Sequence, residues 1–236
     1  MARGKHGGGP PRRGATVRVR SGRGRSTSSV RWLNRQLNDP YVREAQRQGY
    51  RSRAAFKLIE IDDRFKLLRT GRKVADLGAA PGGWAQVAVA RVGRDRVVAL
   101  DILEMAEIDG VTILQADFLD EGAPERLRAA LGGSADVVLS DLSPSSTGHQ
   151  GTDHLRIVAM AEAVLDFAET VLGEGGDLVL KVFQGGAERE LLARLRKCFK
   201  SVKHIKPPAS RKESPEQYVV AIGFRGAGDS RSIERP

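Results

Sequence analysis

Cysteine is nearly absent: Cys198 stands alone among 236 residues, which excludes an internal disulfide framework. No apolar run reaches the roughly 18 residues needed to cross a bilayer. The N-terminus also lacks the apolar stretch of a secretory signal. These absences lead to the expectation of a cytoplasmic protein in a reducing compartment, with no membrane partner. The four histidines, His6, His149, His154 and His204, show no metal-ligand spacing, so no metal is expected. A phosphate loop of the form Gly-x-x-x-x-Gly-Lys-Ser/Thr is missing too. The dinucleotide fingerprint Gly-x-Gly-x-x-Gly fails because Ala80 stands two places after Gly78.

Acidic residues are missing from the first 38 positions, where ten Lys and Arg fall. The whole chain holds 39 basic and 29 acidic side chains; 39 less ten leaves 29, so residues 39–236 are formally neutral. The net charge of +10 therefore belongs to the N-terminal stretch. A Gly/Arg/Ser-rich tail of one sign cannot bury enough apolar surface to order itself. It suits a phosphate backbone, although a tail that only solubilises would have the same composition.

Residues 1–30 read as a disordered basic tail, 31–226 as one domain and 227–236 as a flexible C-terminus. A helical stretch is expected from about Asp39 to Phe65. Its second half opens at Ser52 as a candidate N-cap and lines Ala55, Leu58, Ile59 and Asp62 along one face. Beyond Lys73, short apolar runs alternate with amphipathic ones. The apolar runs are Val74–Leu77, Val97–Leu100, Val111–Leu114, Val137–Leu139, Leu178–Val182 and Tyr218–Phe224. Helical patterns lie near Trp84–Arg91, Pro124–Leu131, His154–Leu172 and Glu188–Cys198. Strands alternating with helices indicate an α/β fold with an open, mostly parallel sheet covered on both faces.

Chemistry gathers at the ends of the runs. Asp76-Leu-Gly-Ala-Ala-Pro-Gly-Gly-Trp84 follows the first run, and its glycines permit a tight turn and close approach of backbone to a ligand. Ligands of open α/β sheets bind outside the carboxyl ends of the strands. Asp101, ending the second run, could accept from ribose hydroxyls or simply be solvated. Asp117, after the third, could accept from an adenine amino group or cap its own turn. Asp141 follows the fourth run and Lys181 lies in the fifth. Glu216 stands just before the last, which brings it to the same edge if that strand is antiparallel.

Five segments occur in order: Ser52-Arg-Ala-Ala-Phe-Lys57-Leu, Asp76 to Trp84, Asp141-Leu-Ser-Pro, Leu180-Lys181-Val-Phe, and Lys206-Pro…Ser210-Arg…Glu216-x-Tyr218. Together they resemble the FtsJ/RrmJ (RlmE) family of ribosomal RNA ribose methyltransferases, over about Arg31–Phe224. The resemblance implies a Rossmann-like methyltransferase fold: seven strands, mostly parallel, the last antiparallel, with helices on both faces. It implies a catalytic tetrad of Lys57, Asp141, Lys181 and Glu216. S-adenosyl-L-methionine is the implied cofactor, held by Gly82, Trp84, Asp101, Asp117 and Asp141. The implied reaction is methylation of a uridine 2′-hydroxyl in the A-loop of 23S ribosomal RNA, within the large subunit, by a monomer. Leu142-Ser143 departs from the Met-Ala that relatives often carry there. A missing tetrad member would favour a non-catalytic RNA-binding or ribosome-assembly factor on the same fold, whereas all four are present. An enzyme acting on tRNA or an mRNA cap is a closer rival.

Overall fold

The computed structural model describes residues 27–144, 148–183 and 189–226. Most of the expected tail, residues 1–26, and the expected flexible C-terminus, 227–236, lie outside the described residues. Helix α1, Thr27–Asn38, begins ahead of the expected boundary at residue 30. Helix α2, Pro40–Gln48, starts sharply because Asp39 caps it: the carboxylate accepts from the Tyr41 amide and Pro40 presets the first turn. Gly49, in the left-handed region, ends it.

The single helical stretch expected from Asp39 to Phe65 is therefore broken. Helix α3, Ala55–Phe65, opens after a turn in which Ser52 and Arg53 use their carbonyls rather than their side chains. Ser52 is not the cap. Its hydroxyl packs against Gly83 instead, where an added Cβ would sit 2.4 Å from Ser52 Oγ. Of the expected face of α3, Ala55, Leu58 and Asp62 are buried and Ile59 only half-buried, since Ile61 takes the inward position instead. Asp62 accepts from the Leu68 amide at 2.7 Å and pairs with Arg91, so this acid is satisfied inside the core.

The remaining elements alternate: β1 Val74–Leu77, α4 Gly83–Val92, β2 Val97–Asp101, β3 Val111–Gln115, α5 Ala123–Leu131, β4 Ala135–Ser140, α6 Gln150–Val171, β5 Leu172–Phe183, α7 Arg189–Cys198, β6 Phe199–Ile205 and β7 Glu216–Phe224. Among the described residues seven strands form one sheet in the order β3-β2-β1-β4-β5-β7-β6. All are parallel except β7, which runs against both neighbours. This is the expected fold. The strand that no apolar run announced is β6: its sequence Phe-Lys-Ser-Val-Lys-His-Ile is half polar because it lies at an edge, where lysines discourage further pairing.

Strand residues alternate between two cores, as a period of two requires. Ala75, Leu77, Val138 and Leu178 face α5, α6 and α7, whereas Val74, Val137, Leu139 and Val179 face α3 and α4. Both faces being covered explains why β1 is buried at every position. At the end of α6, Gly173, Gly175 and Gly176 lie in the irregular start of β5. There the pairing jumps from Ala135 with Leu172 to Val137 with Asp177.

Candidate active site

Topology brings the four tetrad candidates to one edge. Ser140 pairs with Leu180, so Asp141 and Lys181 leave adjacent strands side by side. Antiparallel β7 puts Glu216 opposite Phe183 and Tyr218 opposite Lys181. Lys57 arrives from the first turn of α3.

The side chains meet. Lys57 Nζ lies 2.9 Å from Glu216 and 3.5 Å from Asp141 Oδ2. Lys181 Nζ lies 3.1 Å from Asp141 Oδ1 and 3.8 Å from Glu216 Oε2, and it donates to the Asp141 backbone carbonyl at 2.9 Å. None of the four side chains is more than 19% exposed, so the set is shielded from water without being wholly cut off from it. Two ammonium and two carboxylate groups make the cluster formally neutral. That balance is what permits burial, since an unpaired charge there would be expensive.

Tyr218 sits among them, fully buried. Its hydroxyl donates to Asp141 Oδ1 at 2.6 Å and accepts from Lys57 Nζ at 3.1 Å. Burial, reinforced by the charges of Asp141 and Glu216, pushes this phenol well above its ordinary pKa. Burial also acts to raise the Asp141 carboxyl. Lys57, Lys181 and the Tyr218 hydroxyl outweigh it and hold Asp141 below the usual carboxylate range.

The glycine turn lies beside this cluster. A side chain at Gly78, Gly82 or Gly83 would displace a neighbour: a Cβ on Gly78 would lie 2.4 Å from the Leu142 side chain, and one on Gly82 2.6 Å from that of Ile108. Gly82 adopts φ +108° and donates its amide to the Ala79 carbonyl at 2.7 Å. Arg51 ties this turn to the loop after β2, donating to the carbonyls of Pro81, Ala106 and Glu107. Trp84 is buried with its indole N–H on the Ala54 carbonyl at 2.8 Å. Its ring contacts Tyr218 at 5.7 Å between centroids. What Trp84 can still offer a ligand is its backbone, at a helix N-terminus where the first amides have no intrahelical partner, whereas Gly82, its amide taken by Ala79, has only a carbonyl to offer.

Asp101 and Asp117 lie together at the ends of β2 and β3, where the Ala116 amide donates to the Asp101 carbonyl. Asp101 accepts from the amides of Ala80 and Leu103 at 2.8 Å each, and so holds the glycine turn. Exposed Asp117 caps its turn through the Leu119 amide at 2.9 Å, which leaves its second oxygen toward solvent. Between the two groups sits Asp76, buried, with Oδ2 lacking any partner. Burial, with Asp141 and Asp101 nearby, pushes its carboxyl up to about 8 against one amide bond from Ala85. Among the described residues no group of three His, Cys, Asp or Glu could hold a metal ion. No described helix is long and apolar enough to cross a membrane.

Sequence reasoning gave no role to Asp76, Tyr218, Ser210 or Arg51. A tyrosine within an otherwise apolar strand was a usable signal, because a buried phenol needs a partner.

Comparison with known proteins places the chain by family and fold. Residues 50–224 match the family model of FtsJ-like methyltransferases. A Gluconobacter oxydans protein named ribosomal RNA large subunit methyltransferase E is 60% identical over 213 residues, covering 90% of this chain and 79% of that one. The Sphingopyxis alaskensis protein of the same name is 56% identical, covering 96% and 99%. Among solved structures, a Plasmodium falciparum protein described as a ribosomal RNA methyltransferase superposes with a TM-score of 0.68. It is 28% identical and covers 75% of this chain and all of that one.

Proposed function

The chain belongs to the FtsJ-like methyltransferase family, and from that premise we propose that it methylates the 2′-hydroxyl of a uridine in the A-loop of 23S ribosomal RNA, with S-adenosylmethionine as donor. The relatives' names support ribosomal RNA of the large subunit as substrate. The observation that carries the reading is the closed set of Lys57, Asp141, Lys181 and Glu216 beside the glycine turn.

The residues fit a cationic donor. Asp76, Asp101 and Asp141 line neighbouring strand ends, and the Asp76 carboxyl, buried with one oxygen unpartnered and pushed up to about 8, is a group that a nearby positive charge would ionise. Asp101 would take the ribose hydroxyls, Asp117 the adenine amino group, Gly82 and Trp84 the amino-acid end through backbone, and Asp141 the region near the sulfur. When bound, the donor supplies a methyl group on a positively charged sulfur.

The protein's own groups supply orientation. Lys181, fixed by both the side chain and the carbonyl of Asp141, holds the attacking 2′-oxygen in line. Glu216 and Lys57 fix the opposite wall. As the oxygen–carbon bond forms and the carbon–sulfur bond breaks, the hydroxyl proton would pass to a carboxylate oxygen of this set, Asp141 or Glu216, because both ammonium groups already carry their protons. Residues 1–26, with eight Lys and Arg and no acid, supply positive charge for binding the RNA backbone. On this reading the protein acts as a cytoplasmic monomer on the assembled large subunit.

The test is to map 2′-O-methyl groups in RNA from cells lacking the protein. One A-loop uridine should lose its methyl group and regain it when purified subunits receive protein and labelled donor. Loss confined to tRNA would overturn the substrate.

A further inference from the structure

The geometry points to Ser210 as a positioning residue for Glu216, an inference that rests on the methyl-transfer reading of the cluster. Ser210 lies in the loop between β6 and β7 and is 5% exposed. Its hydroxyl donates to Glu216 Oε1 at 2.8 Å. A glutamate at the start of a strand has three rotatable side-chain bonds, and Lys57 alone does not fix it, because Lys57 also reaches Asp141. The Ser210 bond pins one carboxylate oxygen, and the other then lies toward Lys181 at 3.8 Å.

The loop that carries Ser210 is held to the element that carries Lys57. Both polar backbone atoms of Ala209 are taken from that side: Arg53 donates to its carbonyl, and its amide donates to Glu60 Oε2 at 2.6 Å. Arg53 and Glu60 bracket Lys57, four residues before it and three after. Arg53 is in turn paired with Asp39, the cap of α2. Within the loop, Ser210 N–H donates to the Pro207 carbonyl at 2.8 Å, and Ser214 Oγ accepts from the Glu216 amide at 3.2 Å. Lys57 and Ser210 thus approach Glu216 from one framework, and the separation of the two donors is fixed by Ala209.

The choice of a hydroxyl has a physical reason. A third amine would place the carboxylate equally well but would unbalance two ammonium and two carboxylate charges in a shielded site. A neutral donor sets geometry and leaves that balance alone.

The experiment is steady-state methylation of large subunits, with labelled donor, by full-length S210A, S210T, E216Q and the double variant S210A/E216Q. Losing a hydrogen bond to a charged group predicts a kcat about tenfold lower in S210A. The KM for donor should stay within about twofold, and the thermal midpoint should fall by no more than about 10 °C, the cost of one lost hydrogen bond to a charged group in a chain of this size, so rates are compared well below it. S210T, which keeps the hydroxyl, should restore turnover. In the E216Q background the serine change should cost nothing further, since the two act as one unit. Should S210A fold poorly, S210C must show the same selective loss of kcat. Wild-type kcat in S210A, or a full second loss in the double variant, overturns the positioning role. Wild-type turnover by E216Q would bring down the reading of the site itself, and the inference with it.

Discussion

Tyr218 donates its hydroxyl proton to Asp141 at 2.6 Å, from a strand in which the ring is wholly buried. The same oxygen accepts from Lys57, so one phenol links the lysine of α3 to the aspartate that fixes Lys181. Y218F removes both bonds and leaves Asp141 with one donor fewer. A bond to a charged group is worth about 1.5–3 kcal/mol. Turnover should drop about tenfold or more, with folding stability reduced by about 1–2 kcal/mol. Urea unfolding and methylation rates check this together; an unchanged rate would remove Tyr218 from the site.

Asp76 predicts a pH dependence of stability. Its folded pKa, about 8, lies above that of the unfolded chain, so the native state holds a proton that the unfolded state has released. Its contribution is fully present below the unfolded value and is lost as pH rises toward 8. The slope is at most about 1.4 kcal/mol per pH unit. D76N has no proton to lose and should flatten the unfolding free energy between pH 5 and 8, read from urea midpoints. An equally steep profile in D76N would assign the slope elsewhere.

The loop after β2 rests on Gly82 through Ile108 and Met105 and is tied down by Arg51. R51A releases three backbone carbonyls on loops bordering the donor region. The expected outcome is a donor dissociation constant raised about three- to tenfold, with kcat at saturating donor nearly unchanged. Calorimetric titration of the free protein measures it; unchanged affinity would make the Arg51 tie purely structural.

Deleting residues 1–26 removes eight basic side chains and leaves α1 intact. RNA affinity should fall, and its dependence on salt should flatten by about 0.7–0.9 in log–log slope for each phosphate that the tail had neutralised. An unaltered slope in filter binding would mean that the tail only solubilises.

Much of this was legible in the sequence, and for one reason: parallel strands buried on both faces read as apolar runs, and their carboxyl ends gather the chemistry. Strand ends brought Asp141 and Lys181 together on condition that their strands are neighbours, and Glu216 with them on condition that β7 is antiparallel, a direction that the resemblance supplied. Lys57 came only from resemblance, since its bond with Glu216 spans 159 residues. The rest was hidden by local context. β6 was missed because an edge strand carries lysines where a central one carries valines. The basic, glycine-flanked composition around Thr27 masked the start of α1. Ser52 looked like a cap because the turn before Ala55 does not show in periodicity. Ser210 sits in a loop that no periodic pattern describes, and its partner is fixed by the fold.

The most direct test of the central claim is K181A, assayed by single-turnover methylation of large ribosomal subunits with labelled donor, beside calorimetric donor binding. Lys181 pairs with Asp141 and Glu216 at the reacting edge. Methyl transfer should fall below detection while donor affinity stays within about threefold. Transfer by K181A at the wild-type rate would contradict the account.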